Sequence, residues 1–233
     1  MLPLLDLSAL AWFLACWVGY TWFADRRARE TLTLMSTMHH YRRLWMREML
    51  RREVRIVDSN IVSTLARSVA FFASTTIFIL AGLLAVLGAM DTAMEVIGEL
   101  RYAVTSTREV WELKLFVLLL VFIYAFFKFT WSMRHFNYLS IMIGAAPDHA
   151  ASPPWAENFA ERAARVSSNA TNTFNRGLRA YYFGLAFLSW FLHPVLFIAA
   201  TALVVAVLYR REFHSRMLRD LGDPTDFSAG GAP

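Results

Sequence analysis

Apolar residues fall into four long runs, and the charged residues gather between them. The first run extends from Leu4 to Phe23 with Asp6 as its one charged residue, and Asp25-Arg26-Arg27-Ala28-Arg29 follows at once. The second is Val69 to Met90, the third Leu113 to about Trp131, and the fourth Tyr181 to Leu208. A helix needs about 20 apolar residues to cross the hydrocarbon of a bilayer. The pattern therefore predicts an all-α, multi-pass integral membrane bundle of four spans. The fourth run is longer than a bilayer core requires, which predicts a tilt, a kink at Pro194 or an interfacial start.

Between the first two spans the period changes. Apolar residues recur at Leu34, Met38, Tyr41 and Trp45, then at Leu50, Val54, Val57, Ile61 and Leu65. Steps of three and four predict an amphipathic helix over Leu32–Leu65, able to run on into the second span. Pro147, Pro153 and Pro154 mark residues 144–156 as a loop within a cytoplasmic segment 134–180. Residues 91–112 form the other loop, and the basic tail 209–233 is expected to lose order beyond Gly222.

Composition sharpens this reading. The chain is 57% apolar and 15% aromatic, carries a formal charge of +5, and has a pI near 9.7. In a soluble chain such a charge would suggest nucleic acid. Arginines placed beside spans point instead to anionic lipid headgroups. Residues 24–68 hold Arg26, Arg27, Arg29, Arg42, Arg43, Arg47, Arg51, Arg52, Arg55 and Arg67, and residues 134–180 add Arg134, Arg162, Arg165, Arg176 and Arg179. The other side holds Arg101, Arg108 and Lys114, with Arg210, Arg211, Arg216 and Arg219 in the tail. The positive-inside bias places both long segments in the cytoplasm and the N-terminus outside. Four spans leave the basic tail outside, an awkward flank. A re-entrant hairpin turning at His193-Pro194 would bring the tail back inside, provided protein buries its short arms. No Lys or Arg precedes the first run and no small-x-small site closes it, which favours a retained span over a cleaved signal. Cys16, the sole cysteine, can form no intrachain disulfide.

Candidate chemistry is sparse. Ala81, Ala85 and Ala89, with Ala73, share a face of span two, and Ala202 and Ala206 repeat the pattern in span four. In lipid, small residues let helices approach closely, so this is a packing face whose partner is expected in the same chain. Lys128 lies inside span three, where it either snorkels toward the Arg134 edge or serves a function. His193, beside Pro194, is the ionisable group deep in the fourth run, able to bond a carbonyl freed by the proline or to relay protons. His39 and His40 are adjacent, so their rings diverge on a helix and a metal site there is not expected. Asn169, Asn172, Arg176 and Arg179 fall at steps of three and four on one helical face, as a candidate site for a phosphate, carboxylate or lipid headgroup.

The chain resembles the uncharacterised membrane-protein family catalogued as domain-of-unknown-function 599, found in bacteria and plants. The resemblance rests on Lys114-Leu-Phe-Val-Leu-Leu-Leu-Val-Phe-Ile-Tyr-Ala-Phe-Phe-Lys128-Phe-Thr-Trp131-Ser-Met-Arg134-His-Phe-Asn137-Tyr, Phe174-Asn-Arg-Gly-Leu-Arg-Ala-Tyr-Tyr182 and Tyr209-Arg-Arg-Glu-Phe213. It implies a multi-pass membrane protein and carries no activity, cofactor or catalytic residue. The residues favour a non-enzymatic membrane component, a scaffold, accessory subunit or assembly partner, in a bacterial inner membrane. No cofactor is expected, and a second copy or another membrane protein is the expected partner. The other reading is an oligomeric channel or small transporter for an anion.

Overall fold

A computed structural model describes residues 4–30, 33–99, 104, 106–151, 153–214 and 220–221. These are almost wholly helical. The order is α1 (Leu4–Glu30), α2 (Leu34–Arg51), α3 (Ile56–Gly88), α4 (Met90–Gly98), α5 (Arg108–Gly144), α6 (Ala156–Leu188), a 3₁₀ turn (Ser189–Phe191) and α7 (Pro194–Phe213). Among the described residues four helices are long and apolar enough to cross a membrane: Leu4–Arg27, Ile56–Gly88, Arg108–Gly144 and Pro194–Phe213. The tail beyond Gly222, expected to lack order, lies outside the described residues.

The chain divides into two compact units, one of Met1–Asp25, Phe72–Lys128 and Arg176–Tyr209, the other of Arg26–Phe71, Phe129–Asn175 and Arg210–Pro233. In the first unit α6 is the central element, and each of the four apolar helices touches it. Phe183 and Phe187 meet Phe13 of α1 with ring centroids 5.9 and 5.3 Å apart, and Phe187 meets Phe197 of α7 at 5.1 Å. Tyr181 packs edge-on to Phe122 of α5 at 5.3 Å, and its hydroxyl lies 2.7 Å from Thr76 Oγ1 of α3. Gly184 makes the α5 contact possible, because a Cβ there would stand 3.0 Å from Phe122 Cζ. Ala180, Phe183, Ala186, Phe187, Trp190 and Phe191 are all buried. Trp190 and Phe191 of the turn at the end of this arm are covered by protein, as irregular backbone in a membrane requires, while Leu185 and Leu188 of the arm are exposed.

The run expected as one span from Tyr181 to Leu208 is thus a hairpin of two helices. Proline has no N–H and starts helices well, so α6 stops before it and α7 begins on it. His193 Nδ1 accepts from the Val195 N–H at 3.1 Å, and the Leu192 carbonyl accepts from the Val104 N–H at 3.0 Å. α7 then runs beside α1 until Tyr209 meets Phe23, with centroids 6.4 Å apart.

In the second unit α2 lies antiparallel to the first part of α6. Asn175 reaches Met35, Ser168 reaches His39, Glu161 reaches Arg43 and Glu157 reaches Arg47. Ala160, Ala163, Ala164, Ser167 and Ala170 are buried on α6, small residues at steps of three and four that permit close approach. From α5, Ser132 Oγ donates to the Ala170 carbonyl at 2.7 Å. The helix expected over Leu32–Leu65 is two helices. Thr33 opens α2 with a capping box to Ser36, and the chain turns at residues 52–55 before α3 starts. Asp58 holds this turn: it is fully buried and accepts from Trp45 Nε1 and Arg52 Nη1, both at 2.6 Å.

The alanine face of α3 differs from expectation. Ala81, Ala85 and Ala89 are exposed, while Leu83 is half-buried and Ala73 and Thr76 face inward. Among the described residues nothing covers that face. Small residues signal close approach without saying to what. Ala202 and Ala206 instead line an apolar cavity of about 450 Å³ with Cys16, Gly19, Tyr20, Phe23, Val205 and Tyr209.

Candidate functional site

The first unit carries a charged cluster at each end. At the start of α1, Asp6 accepts from the Trp190 indole at 2.7 Å and pairs with Lys114 Nζ at 3.5 Å. Lys114 also donates to the Trp190 carbonyl at 3.0 Å and lies 5.1 Å from the centre of its ring. Both charges are buried, with side-chain exposures of 2% for Lys114 and 6% for Asp6. A charge removed from water survives only when paired and hydrogen-bonded. This cluster meets both conditions, and it joins α1, α5 and the turn after α6. Nearby chemistry at the surface is ordinary: Arg108 pairs with exposed Asp91 and Glu112.

At the other end, Asp25 of α1 receives two arginines of α6. Arg176 Nε and Nη2 reach Oδ2 at 3.0 and 2.7 Å, and Arg179 Nη1 reaches Oδ1 at 3.0 Å. Arg179 is buried, with its guanidinium 5.7 Å from the centre of the Tyr20 ring. Arg176 keeps 41% of its side chain exposed. Lys128 of α5 belongs to the same unit and lies 5.0 Å over the Tyr124 ring.

The four residues expected to share an anion face are distributed as follows. The carboxylate that Arg176 and Arg179 clasp is the chain's own Asp25. Asn169 is exposed and Asn172 half-buried, both on the part of α6 that belongs to the second unit. Lys128 belongs to the same unit as the Asp25 cluster, and His193 is the cap of α7, its proton placed on Nε2 by the bond that Nδ1 accepts. Asp25 and Asp6 were not singled out from sequence. Each is one acidic residue in or beside an apolar run, and a carboxylate there that needs a cation was the signal available.

The second unit also brings together groups far apart in sequence. His39 Nδ1 lies 2.7 Å from Ser168 Oγ, a histidine–hydroxyl pair that no spacing announces. Burial pushes the His39 imidazole below its ordinary value, against the nearby Glu161 carboxylate. Burial also lowers the Arg42 guanidinium to about 10. Arg55 donates to the Ala146 and Pro147 carbonyls and so ties the α2–α3 turn to the loop after α5. Among the described residues no group of three or more His, Cys, Asp or Glu is placed to hold a metal ion.

A helical membrane bundle cross-linked by buried ion pairs is the class that this fold and these clusters define. The chain belongs to the family described as "Protein of unknown function, DUF599", which it matches over residues 8–217. No curated protein and no solved structure matches it.

Proposed function

We propose that the chain is a non-enzymatic structural component of a membrane, a scaffold, accessory subunit or assembly partner, seated in a bacterial inner membrane. The observation that carries this reading is that its embedded charges join helices. Asp6 and Lys114 link α1 to α5, and Asp25 with Arg176 and Arg179 links α1 to α6. Groups spent in this way rigidify a bundle. The His39–Ser168 pair fits the same role. Ser168 sits within α6, where backbone N–H groups are committed to the helix and cannot hold an oxyanion.

The arginine count supports an N-terminus outside and the second unit in the cytoplasm, against anionic headgroups. The hairpin of α6 and α7 supports a tail on that same cytoplasmic side. Residues 210–214 belong to the same unit as Arg26–Phe71, and the Tyr41 hydroxyl donates to the Leu221 carbonyl at 3.1 Å. The exposed Ala81, Ala85 and Ala89 support a partner outside the chain, a second copy or another membrane protein.

One observation favours a second reading, an oligomeric anion channel or small transporter: two arginines, Arg176 and Arg179, converge on one carboxylate, and Lys128 of α5 belongs to the same unit. Proteoliposomes loaded with chloride or phosphate separate the two. The structural reading expects flux no greater than from empty vesicles, with a stoichiometric complex in native mass spectra of the protein in nanodiscs. Flux that rises with protein content would overturn it.

A further inference from the structure

We propose that the groove between α1 and α7 holds one acyl chain of an anionic phospholipid, with the phosphate at the groove's arginine end. This goes beyond the structural reading above, since it names a bound lipid and needs no partner protein. The two helices run parallel within the first unit and touch through rings at two levels: Phe13 meets Phe197 with centroids 5.2 Å apart, and Phe23 meets Tyr209 at 6.4 Å. Phe13 and Phe23 stand about 15 Å apart along α1. Between those contacts the facing residues shrink to Cys16, Gly19, Ala202 and Ala206, and a recess of about 450 Å³ opens. Gly19, Ala202 and Ala206 are exposed, and a Cβ placed on Gly19 would meet nothing within 4 Å.

The size of the recess decides its occupant. At about 30 Å³ for a water-sized group, its volume takes about fifteen, close to the carbons of one acyl chain. Spread over about 10–15 Å of helix, the same volume has a cross-section of about 30–45 Å². A helix with its side chains is about 10–12 Å across and needs about 80–110 Å², so a span of a second copy does not seat there. Charge fixes the orientation. Gly19, Phe23 and Arg27 follow at steps of four on α1, and Ala202, Ala206 and Arg210 do so on α7. Each helix face that forms the recess thus ends, one turn past Phe23 or Ala206, in an arginine. Arg27 and Arg210 are both exposed. A phosphodiester accepts charge-assisted bonds from a guanidinium, and Tyr209 is the kind of amphipathic ring that headgroup levels favour. The apolar lining holds the chain by close contact, the attraction that remains between apolar groups inside a bilayer.

Cys16 is the sole cysteine and lines the recess, so its thiol reports occupancy in the wild-type protein. A lipid-soluble maleimide would be added to the protein in nanodiscs of phosphatidylcholine alone, and of phosphatidylcholine mixed with phosphatidylglycerol of the same chains. Labelling should slow several-fold when phosphatidylglycerol is present, and native mass spectra should show one phosphatidylglycerol retained per chain. Gly19→Leu with Ala206→Leu fills the recess and should cut that retention on the order of ten-fold. Arg27→Gln with Arg210→Gln should abolish the preference for phosphatidylglycerol while a chain stays in place. Labelling at an equal rate in both lipids would overturn the site, as would retention that the Leu variant leaves unchanged. Loss of a dimer without loss of lipid in the Leu variant would assign the recess to a second copy and overturn it too. Should that variant fail to fold, the wild-type labelling alone still decides.

Discussion

Asp6 accepts a hydrogen bond from Trp190, 184 positions further along the chain, and the same carboxylate neutralises Lys114. Removing one member of a buried pair strands the other. Asp6→Asn or Lys114→Met should therefore destabilise the protein in detergent by about 3–5 kcal/mol, whereas Asp6→Asn combined with Lys114→Met, which keeps an acceptor for the Trp190 indole, should recover much of that loss. Thermal unfolding of the three variants tests this, and full additivity of the single losses would contradict it. His39 gives a pH dependence with a fixed sign. Burial holds its folded-state value below the ordinary imidazole value of about 6.5, so the unfolded chain takes up the proton first as pH falls. Its contribution to stability is complete above that value and is lost on acidification through it. The melting temperature of the wild type should drop more between pH 7 and pH 5 than that of His39→Gln, and parallel profiles would show that His39 plays no part.

At the scale of elements, α3 and α6 carry opposite lessons about small residues. On α6 the alanines at 160, 163, 164 and 170 are buried and serve packing inside the second unit, while on α3 those at 81, 85 and 89 face outward. Ala81→Leu with Ala85→Leu should leave the melting of the monomer nearly unchanged and reduce any self-association seen in native mass spectra. Leu83→Ala, on the half-buried side, should cost roughly 1–2 kcal/mol. The reverse ranking would mean that α3 is turned about its axis. Gly184 is a sharper probe of the central helix. Its replacement by alanine presses a methyl to 3.0 Å from Phe122, an overpacking that costs about 1–3 kcal/mol, and Phe122→Leu should relieve part of it. If Gly184→Ala melts like the parent, α5 does not press on α6 there.

For the whole molecule the hairpin makes a topological prediction. In a Cys16→Ala background, single cysteines at Ser59 and His214 should be protected from an impermeant thiol reagent in intact cells, and one at Thr92 should react. All three positions are exposed in the structure, so reactivity reports side and not burial. Reaction at His214 with protection at Ser59 would restore a tail on the outer side. The four apolar helices, the all-α class and the break at Pro194 were legible in the sequence, because apolar length and proline chemistry are local properties that each segment carries by itself. The Arg176–Arg179 pairing was legible only as a shared face. That its anion is Asp25, that α6 sends a short arm into the first unit, and that His39 meets Ser168 were decided by tertiary structure. The arm carries too few apolar residues to declare itself a crossing, and burial by α1, α3, α5 and α7 makes it stable. Each of those facts depends on which distant residue comes to stand within about 3 Å of another, and hydropathy and spacing along one helix contain no term for that distance.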